Sequence, residues 1–406
     1  MPRLAIILAV ALILLAPAWG IQRVSVLLTG RIGLPEYPLP RWFLSEPLVD
    51  LLQVPSRDEL GYLGGEEEMK RFIRIYFPRN YERLREYDFF LLDSVNIWHF
   101  EDQQVIWMRD AIAEGSAGWN TCSVMSISSQ RYMPWCESVL QEAFPNDAPA
   151  VCSRSAVGYQ NTFFSMRINR DFPEPVLTPF IPLGVEDVRG SQTSWVIIPR
   201  QGAVTMAHFV GNYPPVLGDA PFIITWDYGE GRSLTTGAMS WWSRHNDPAE
   251  TPNPYGFDVM MNMIFYATRN ELVGDVLVYH QARNSLLAFN DRLGILVSLI
   301  EFVDRIGADT RGIYRRADDL SERVEDARAS YLDQDFDAVE EEMREIFEEM
   351  ADAEDEAIRI KNRAFIWIYL IEWVTVSATA VLSGVIIWAL MIRRRLYRQV
   401  KATRLG

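Results

Sequence analysis

The amino-acid sequence predicts an α/β domain followed by an α-helical stalk and one C-terminal transmembrane helix. Three observations support this prediction. Apolar β-strands alternate with amphipathic helices in the first half of the chain, a helical stretch without strands begins near residue 286 and becomes acidic after residue 306, and residues 373–392 carry no charge. Continuously apolar strands that alternate with helices are typical of a parallel sheet covered by helices.

Residues 1–20 have the pattern of a secretory signal peptide. A short basic start precedes an apolar core, and Ala16, Pro17 and Ala18 form a small-x-small cleavage motif. An uncleaved membrane anchor is the alternative. Both interpretations place the residues from about 20 to 365 outside the cytoplasm.

Residues 21–285 are predicted to form the α/β domain. Apolar and β-branched runs indicate strands, and apolar residues at helical spacing indicate helices. In the first half these patterns predict strands at Ile21–Thr29, Tyr87–Asp93 and Gly118–Ser123, and helices at Met69–Arg85 and Glu101–Glu114. In the second half they predict strands at 194–199 and 203–210, a hairpin at 222–239 and a helix at Phe257–Thr268.

Residues 286–365 show helical patterns without strands. Leu286–Ile306 is apolar at helical spacing, and an acidic stretch with a narrow apolar stripe follows it. The stripe consists of Leu320, Val324, Ala327, Tyr331, Phe336, Val339, Met343, Ile346, Met350, Ala353, Ala357 and Ile360. Spacings of three and four predict an antiparallel helical hairpin whose second helix continues into the membrane. A single solvated amphipathic stalk is the alternative.

The segment 366–392 is predicted to span the membrane. Its uncharged 373–392 core would extend about 30 Å as a helix, the thickness of the hydrocarbon layer of a bilayer. The tail 393–406 contains six basic residues and no acidic one. The positive-inside rule therefore places this tail in the cytoplasm.

The composition limits the partners that the chain can have. The formal net charge of −15 argues against a nucleic-acid partner, because phosphate binding requires a basic surface. His and acidic residues do not show the short spacings of a metal site, so we expect neither a metal nor another cofactor. Two of Cys122, Cys136 and Cys152 could pair in an oxidising compartment.

Residues 21–270 resemble the class I glutamine amidotransferase-like superfamily, in particular its ThuA-like branch. The resemblance lies in six segments in the family order, at 24–30, 87–95, 109–126, 170–180, 226–242 and 253–267. It implies a flavodoxin-like, doubly wound sheet with a pocket at the carboxyl ends of its strands. That edge would present Gly30, Arg31, Asp93 to Asn96, Cys122, Ser123 and Ser240 to His245.

Cys122 departs from the nucleophile pattern of this superfamily. The family cysteine lies in a glycine-rich G-x-C-x-G turn and is paired with a histidine from a late His-x-Glu motif. Cys122 has Thr121 and Ser123 as neighbours, and no histidine occurs in a His-x-Glu. We therefore expect a catalytically degenerate domain with no catalytic residues. The candidates for a catalytic alternative are Cys122, His245 and Asp93.

The sequence thus predicts a single-pass protein whose α/β domain binds, senses or assembles with other proteins of a prokaryotic, in particular archaeal, envelope. Two alternatives stay open. One is an extracellular amide or glycan hydrolase that uses a pocket near Cys122 and His245. The other is a structural subunit of a membrane complex. Trp98, Trp119 and Trp241–Trp242 are either core residues or the lining of a carbohydrate or peptide groove.

Overall fold

The computed structural model describes residues 23–32, 39–57, 63–121, 134–147, 164–187, 197–211, 220–237 and 253–402. The chain divides into two compact units. The first, which we call the α/β unit, contains the described residues up to Asn284 together with Arg328–Val339. The second, the helical unit, contains Ser285–Ala327 and the described residues from Glu340 onward.

The α/β unit is built on a mixed sheet of eight strands in the order β2-β1-β3-β4-β8-β7-β6-β5. Its strands are β1 (Val24–Gly30), β2 (Val49–Pro55), β3 (Phe89–Asp93), β4 (Ala117–Thr121), β5 (Phe164–Ile168), β6 (Val204–Gly211), β7 (Pro221–Tyr228) and β8 (Gly231–Thr236). Five of them, from β2 to β8 in the sheet order, pair in parallel. The remaining three pair antiparallel.

Helices lie between the strands from β1 to β5. They are α1 (Leu39–Leu44), α2 (Glu66–Tyr76), α3 (Tyr81–Leu84), α4 (Asp102–Ala113) and α5 (Pro134–Glu137), with α6 (Gly256–Ala267) after the sheet. Short 3₁₀ helices lie at Ile97–His99, Val139–Ala143, Thr178–Leu183 and Val185–Asp187.

The central strands are apolar because both of their faces are covered. All five residues of β3 and all five of β4 are buried. Helix α4 buries Val105, Met108 and Ile112, the apolar face that its sequence predicts. The alternating strand and helix pattern is therefore correctly interpreted as an α/β sheet.

Several elements of the α/β unit differ from the sequence prediction. The helix predicted at Met69–Arg85 is two helices, because Phe77 is extended and Pro78 follows it without an amide hydrogen to donate. Strand β2 was not predicted, since its sequence VDLLQVP lies in a connection rich in proline. Of the strand predicted at 194–199, the described part contains only a single bridge between Pro199 and Asn146.

The helical unit contains parts of three helices. They belong to α7 (Val276–Arg305), α8 (Arg311–Leu332) and α9 (Phe336–Ala402). Arg323 of α8 contacts Glu342, Glu345 and Glu349 of α9, and Arg316 contacts Glu356, so α8 and α9 are antiparallel. Helix α7 also pairs with α9 through Arg292 and Glu354 and through Phe302 and Phe365.

The predicted apolar stripe is buried. Ten of its members are at most 2% exposed, namely Leu320, Val324, Ala327, Tyr331, Val339, Met343, Ile346, Met350, Ala353 and Ala357. Their spacing of three and four places them on one face of each helix. Phe336 and Ile360, at the two ends of the α9 part, are half-buried.

Helix α9 continues without interruption through residues 366–392. This part of the helix is long and apolar enough to span a membrane, and its side chains are exposed. Trp373 is 71% exposed and Leu382 is 64% exposed. A run of such residues has no protein core to pack against, which distinguishes it from the buried helix of a soluble domain.

Candidate functional site

The carboxyl ends of β1 and β3 meet at the point where the order of the parallel strands reverses. The chain passes from β1 to β2 on one side, and then to β3 and β4 on the other side of β1. In open α/β sheets, the loops leave such a point in opposite directions and form a crevice. Gly30 ends β1 and is followed by Arg31, and Asp93 ends β3 and is followed by Ser94.

Gly30 permits the two strand ends to approach closely. Its φ angle is +129°, and a Cβ atom at this position would lie 1.8 Å from the backbone oxygen of Asp93. The amide of Arg31 donates a hydrogen bond to that same oxygen at 3.0 Å. A side chain at position 30 is therefore excluded by contact with the backbone of β3 as well as by the backbone angle.

Asp93 places a carboxylate at this edge of the sheet. Its side chain is fully buried, and Thr121 Oγ1 donates a 2.6 Å hydrogen bond to Asp93 Oδ1. Arg31 Nε lies 3.6 Å from Asp93 Oδ2. The Thr121 hydroxyl satisfies Oδ1, whereas Oδ2 has the Arg31 guanidinium at ion-pair distance and accepts no hydrogen bond within the described residues.

Three further polar residues border the crevice. Arg57 Nη1 donates to the backbone oxygen of Ser94 at 3.3 Å, and Ser94 has a φ of +51°. His99 Nδ1 lies 2.7 Å from the backbone oxygen of Ser56. A carbonyl oxygen only accepts hydrogen bonds, so Nδ1 carries the proton. In the neutral ring, His99 Nε2 then accepts from Asn96 Nδ2 at 3.2 Å.

Some of the predicted site residues lie within the described part of the chain, and others lie outside it. Asp93, Gly30, Arg31 and the residues from Ser94 to Asn96 lie at the predicted carboxyl edge. Cys122, His245, Ser123 and Ser240 lie outside the described residues, and so do Trp241 and Trp242.

Trp98 and Trp119 differ in how far they are buried. Trp119 is fully buried in β4, where its indole Nε1 donates to Thr236 Oγ1 at 3.3 Å. It is a core residue and does not line a groove. Trp98 is 61% exposed in the 3₁₀ helix that follows β3, so its ring is available for stacking on a ligand.

Cys136 is disulfide-bonded. The chain has only two other cysteines, Cys122 and Cys152, and both lie outside the described residues. A disulfide at Cys136 fits the expectation that two of the three cysteines pair. Structural disulfides persist in oxidising compartments.

A second polar cluster surrounds Glu46, which sequence analysis did not single out. Glu46 follows α1 and is 2% exposed. Tyr331 donates to Oε1 at 2.9 Å, Tyr279 donates to Oε2 at 3.1 Å, and the Leu48 amide donates to Oε1 at 3.1 Å. Burial raises the pKa of Glu46 to about 7, although these donors and Arg283 act in the opposite direction.

The same cluster contains a buried ion pair. Arg283 Nη2 lies 2.9 Å from Asp258 Oδ1, and both side chains are almost completely buried. Asp258 Oδ2 is 2.6 Å from His280 Nδ1, and Asn284 Nδ2 is 2.8 Å from His280 Nε2. The Arg283 guanidinium also lies over the Phe257 ring. The sequence feature that could have revealed this cluster is Asp258, the single acidic residue in the apolar α6 sequence GFDVMMNMIFYA.

A polar cavity of about 340 Å³ opens at the amino ends of β1, β3 and β4. Its charged groups have partners in the chain. Arg85 contacts Glu114 at 3.7 Å, and Asp88 accepts from the Ser25 amide at 2.9 Å. Within the described residues, no group of three or more His, Cys, Asp or Glu side chains could hold a metal ion.

Comparisons with known proteins give only weak structural similarities. No family model and no curated protein matches the chain. Two cytoplasmic proteins of Salmonella typhimurium are 13% and 14% identical, each with a TM-score of 0.41 over 60% of this chain and 99% of theirs. The glutaminase domain of Trypanosoma brucei CTPS, with bound acivicin, is 11% identical, with a TM-score of 0.29 over 62% of this chain and 96% of that domain.

A GH42 β-galactosidase from G. stearothermophilus is similar to the chain at 10% identity. Its TM-score is 0.32, over 62% of this chain and 31% of the enzyme. Likenesses of this size assign neither a family nor an activity.

Proposed function

We propose that the protein is a single-pass membrane protein that holds a glutamine amidotransferase-like domain outside the cytoplasm, where the domain binds a ligand or an envelope protein without catalysing a reaction. The observation that carries this proposal is the 67-residue helix α9, which begins in the α/β unit and continues through the apolar segment to the basic tail. A continuous helix of this kind is suited to hold a domain above a bilayer.

The charges and aromatic residues around the apolar segment support the orientation. Arg393, Arg394 and Arg395 follow it directly, and Trp367, Tyr369 and Trp373 precede it. Arginines are enriched on the cytoplasmic side of spans, and tryptophan and tyrosine are enriched at membrane interfaces. The disulfide of Cys136 supports an oxidising location for the α/β unit.

We further propose that the sheet of this domain is flavodoxin-like, and the order of its strands supports this. The five parallel strands follow the order β2-β1-β3-β4-β8. This is the flavodoxin-like order 2-1-3-4-5, with β8 as the fifth strand, and ligands of such sheets bind at the β1/β3 switch point. The crevice with Asp93, Arg31 and Arg57, with Trp98 exposed in the following 3₁₀ helix, is therefore the proposed ligand site.

The residues around Cys122 support a role without catalysis. Catalytic cysteines need a turn that exposes the sulfur and a base that deprotonates it, and this sequence lacks both family motifs. If Cys136 pairs with Cys122, the sulfur of Cys122 is also unavailable for attack.

A protease-protection experiment tests the orientation. We expect a protease added to intact cells to digest the α/β unit and to spare an epitope attached after Gly406. Detergent permeabilisation should then expose the epitope, which controls for its cleavability. An epitope that is digested in intact cells, with an α/β unit that survives until permeabilisation, would overturn the proposed topology.

Disulfide mapping of the purified chain tests the absence of catalysis. Peptide mass analysis without reduction identifies the partner of Cys136, and a thiol-reactive probe measures any remaining free cysteine. A pairing of Cys122 with Cys136 agrees with a non-catalytic domain. A free Cys122 that reacts rapidly near neutral pH, and slows when His245 is replaced by Gln, would favour the hydrolase alternative.

A further inference from the structure

The connection between α8 and α9 is bonded to the rest of the α/β unit through one buried carboxyl group. We call Arg328–Val339 the turn; it comprises the last residues of α8, the residues that join the two helices and the first residues of α9. Tyr331 is fully buried in this turn, and its hydroxyl bonds both oxygens of Glu46, at 2.9 Å and 3.2 Å. Tyr279 and Phe336 pack against Tyr331, with ring centroids 6.1 Å and 5.1 Å away. Glu46 therefore supplies the polar anchor of an otherwise aromatic contact.

The charges around Glu46 do not balance when it is ionised. The nearby cation is Arg283, which already contacts Asp258 at 2.9 Å. An ionised Glu46 would leave two carboxylates and one guanidinium in a buried region. His280, a second group in the cluster that can become positively charged, contacts Asp258 and Asn284. Burying a charge without its own counter-ion is costly, whereas the neutral acid needs hydrogen-bond partners alone.

The neutral acid finds those partners in place. A tyrosine hydroxyl both donates and accepts, so Tyr279 or Tyr331 can accept a hydrogen bond from the O–H of protonated Glu46 while the other donates to it. The Leu48 amide donates to Oε1 in either state. The site is thus built for the protonated carboxyl and tolerates the carboxylate less well.

We propose that Glu46 is a proton-controlled latch: protonated Glu46 holds the Arg328–Val339 turn on the α/β unit, and loss of the proton weakens this attachment. The groups that face the latch come from four places. Tyr279, His280 and Arg283 belong to α7, Tyr331 to the turn, Asp258 to α6, and Glu46 itself follows α1. The attachment is closed in mildly acidic medium and opens more often as the pH rises.

The direction follows from proton linkage. Glu46 has a pKa of about 7 when the turn is attached, and an ordinary lower value when the turn is released into water. The attached state therefore binds the proton more tightly, and attachment weakens as the pH rises through this interval. Between pH 5.5 and pH 8, this linkage predicts about a 30-fold increase in the opening equilibrium.

Hydrogen–deuterium exchange of the full chain in detergent tests the latch. We expect the protection factors of the segments around Leu48 and Arg328–Val339 to fall together by about 30-fold from pH 5.5 to pH 8, after correction for intrinsic exchange. Strand β3 should keep its protection, which serves as the internal control. Glu46→Gln should remove the pH dependence, and Glu82→Gln on α3 should leave it unchanged.

Two results would overturn the proposal. One is equal protection of both segments at the two pH values in the natural protein. The other is an unchanged pH dependence in Glu46→Gln. If that variant does not fold, Tyr331→Phe provides the test, because loss of a donor to the carboxylate should move the midpoint to higher pH. A midpoint that stays in place in Tyr331→Phe would also contradict the latch.

Discussion

At the scale of single residues, the crevice between β1 and β3 depends on a backbone contact that allows no side chain at Gly30. The amide of Arg31 and the oxygen of Asp93 are joined across this contact. Because Arg31 Nε and Asp93 Oδ2 face each other immediately beyond it, the same contact positions the charged groups of the proposed ligand site. The close contact at Gly30 thus fixes both the approach of the two strand ends and the positions of the charged groups.

Replacement of Gly30 by Ala should destabilise the α/β unit more than the same change at Gly115. The two glycines have nearly equal φ angles, +129° and +126°, so the backbone strain of about 1–3 kcal/mol is common to both. At Gly30 the new Cβ also collides with the Asp93 oxygen, whereas at Gly115 no atom lies within 4 Å. Thermal unfolding followed by circular dichroism measures the difference. Equal losses at the two positions would show that the contact is not rigid.

Replacement of Arg283 by Met should cost about 3–5 kcal/mol, because it leaves the buried Asp258 carboxylate without its guanidinium partner. The matched control is Arg344→Met on α9. Its partners Glu341 and Glu348 are exposed, so its loss should change stability little. Denaturant unfolding of the two variants gives the comparison. A small loss for Arg283→Met would mean that Asp258 is protonated, hydrated or compensated by His280, which lies 2.6 Å from it, when the arginine is absent.

At the scale of secondary-structure elements, patterns that come from burial were predictable, and local chain breaks were not. The stripe from Leu320 to Ala357 is buried as its spacing predicts, because one face of each helix packs against its neighbours. The break between α2 and α3 depends on Pro78 and on the extended backbone of Phe77. Periodicity continues across such a break, so spacing alone does not reveal it.

Ile346→Ala on α9 should destabilise the helical unit by about 2–5 kcal/mol, the usual range for emptying a filled core position. Ile346 is fully buried, and Ile358 on the same helix is 40% exposed. The identical substitution at Ile358 removes less buried surface and should cost much less. Unfolding followed at 222 nm reports both. Similar losses at the two positions would indicate that the exposed face of α9 is covered in the folded protein.

At the scale of the whole molecule, the class of fold could be predicted from sequence, but the polar clusters could not. The alternation of strands and helices can be recognised from local sequence patterns, and Asp93 could be placed at the sheet edge because it ends an apolar strand. Glu46, Tyr279 and Tyr331 are far apart in the chain, and only the folded structure brings them together. No spacing rule connects residues whose proximity is decided by the packing of distant elements.

The attachment of the whole molecule to a membrane can be tested by charging the centre of the apolar segment. Val381 and Leu382 are 65% and 64% exposed in the middle of this segment. Arginine near the centre of a spanning helix costs about 2.5–3.5 kcal/mol on insertion scales, so the double variant Val381→Arg, Leu382→Arg should lose membrane retention in alkaline carbonate extraction. The double variant Val381→Leu, Leu382→Val keeps the segment apolar and should stay with the membrane pellet.

Because α9 is one continuous helix, the α/β unit should follow α9 into the soluble fraction in the arginine variant. Full retention of that variant would mean that residues other than 366–392 hold the protein at the membrane, with the segment 1–20 as the first to examine.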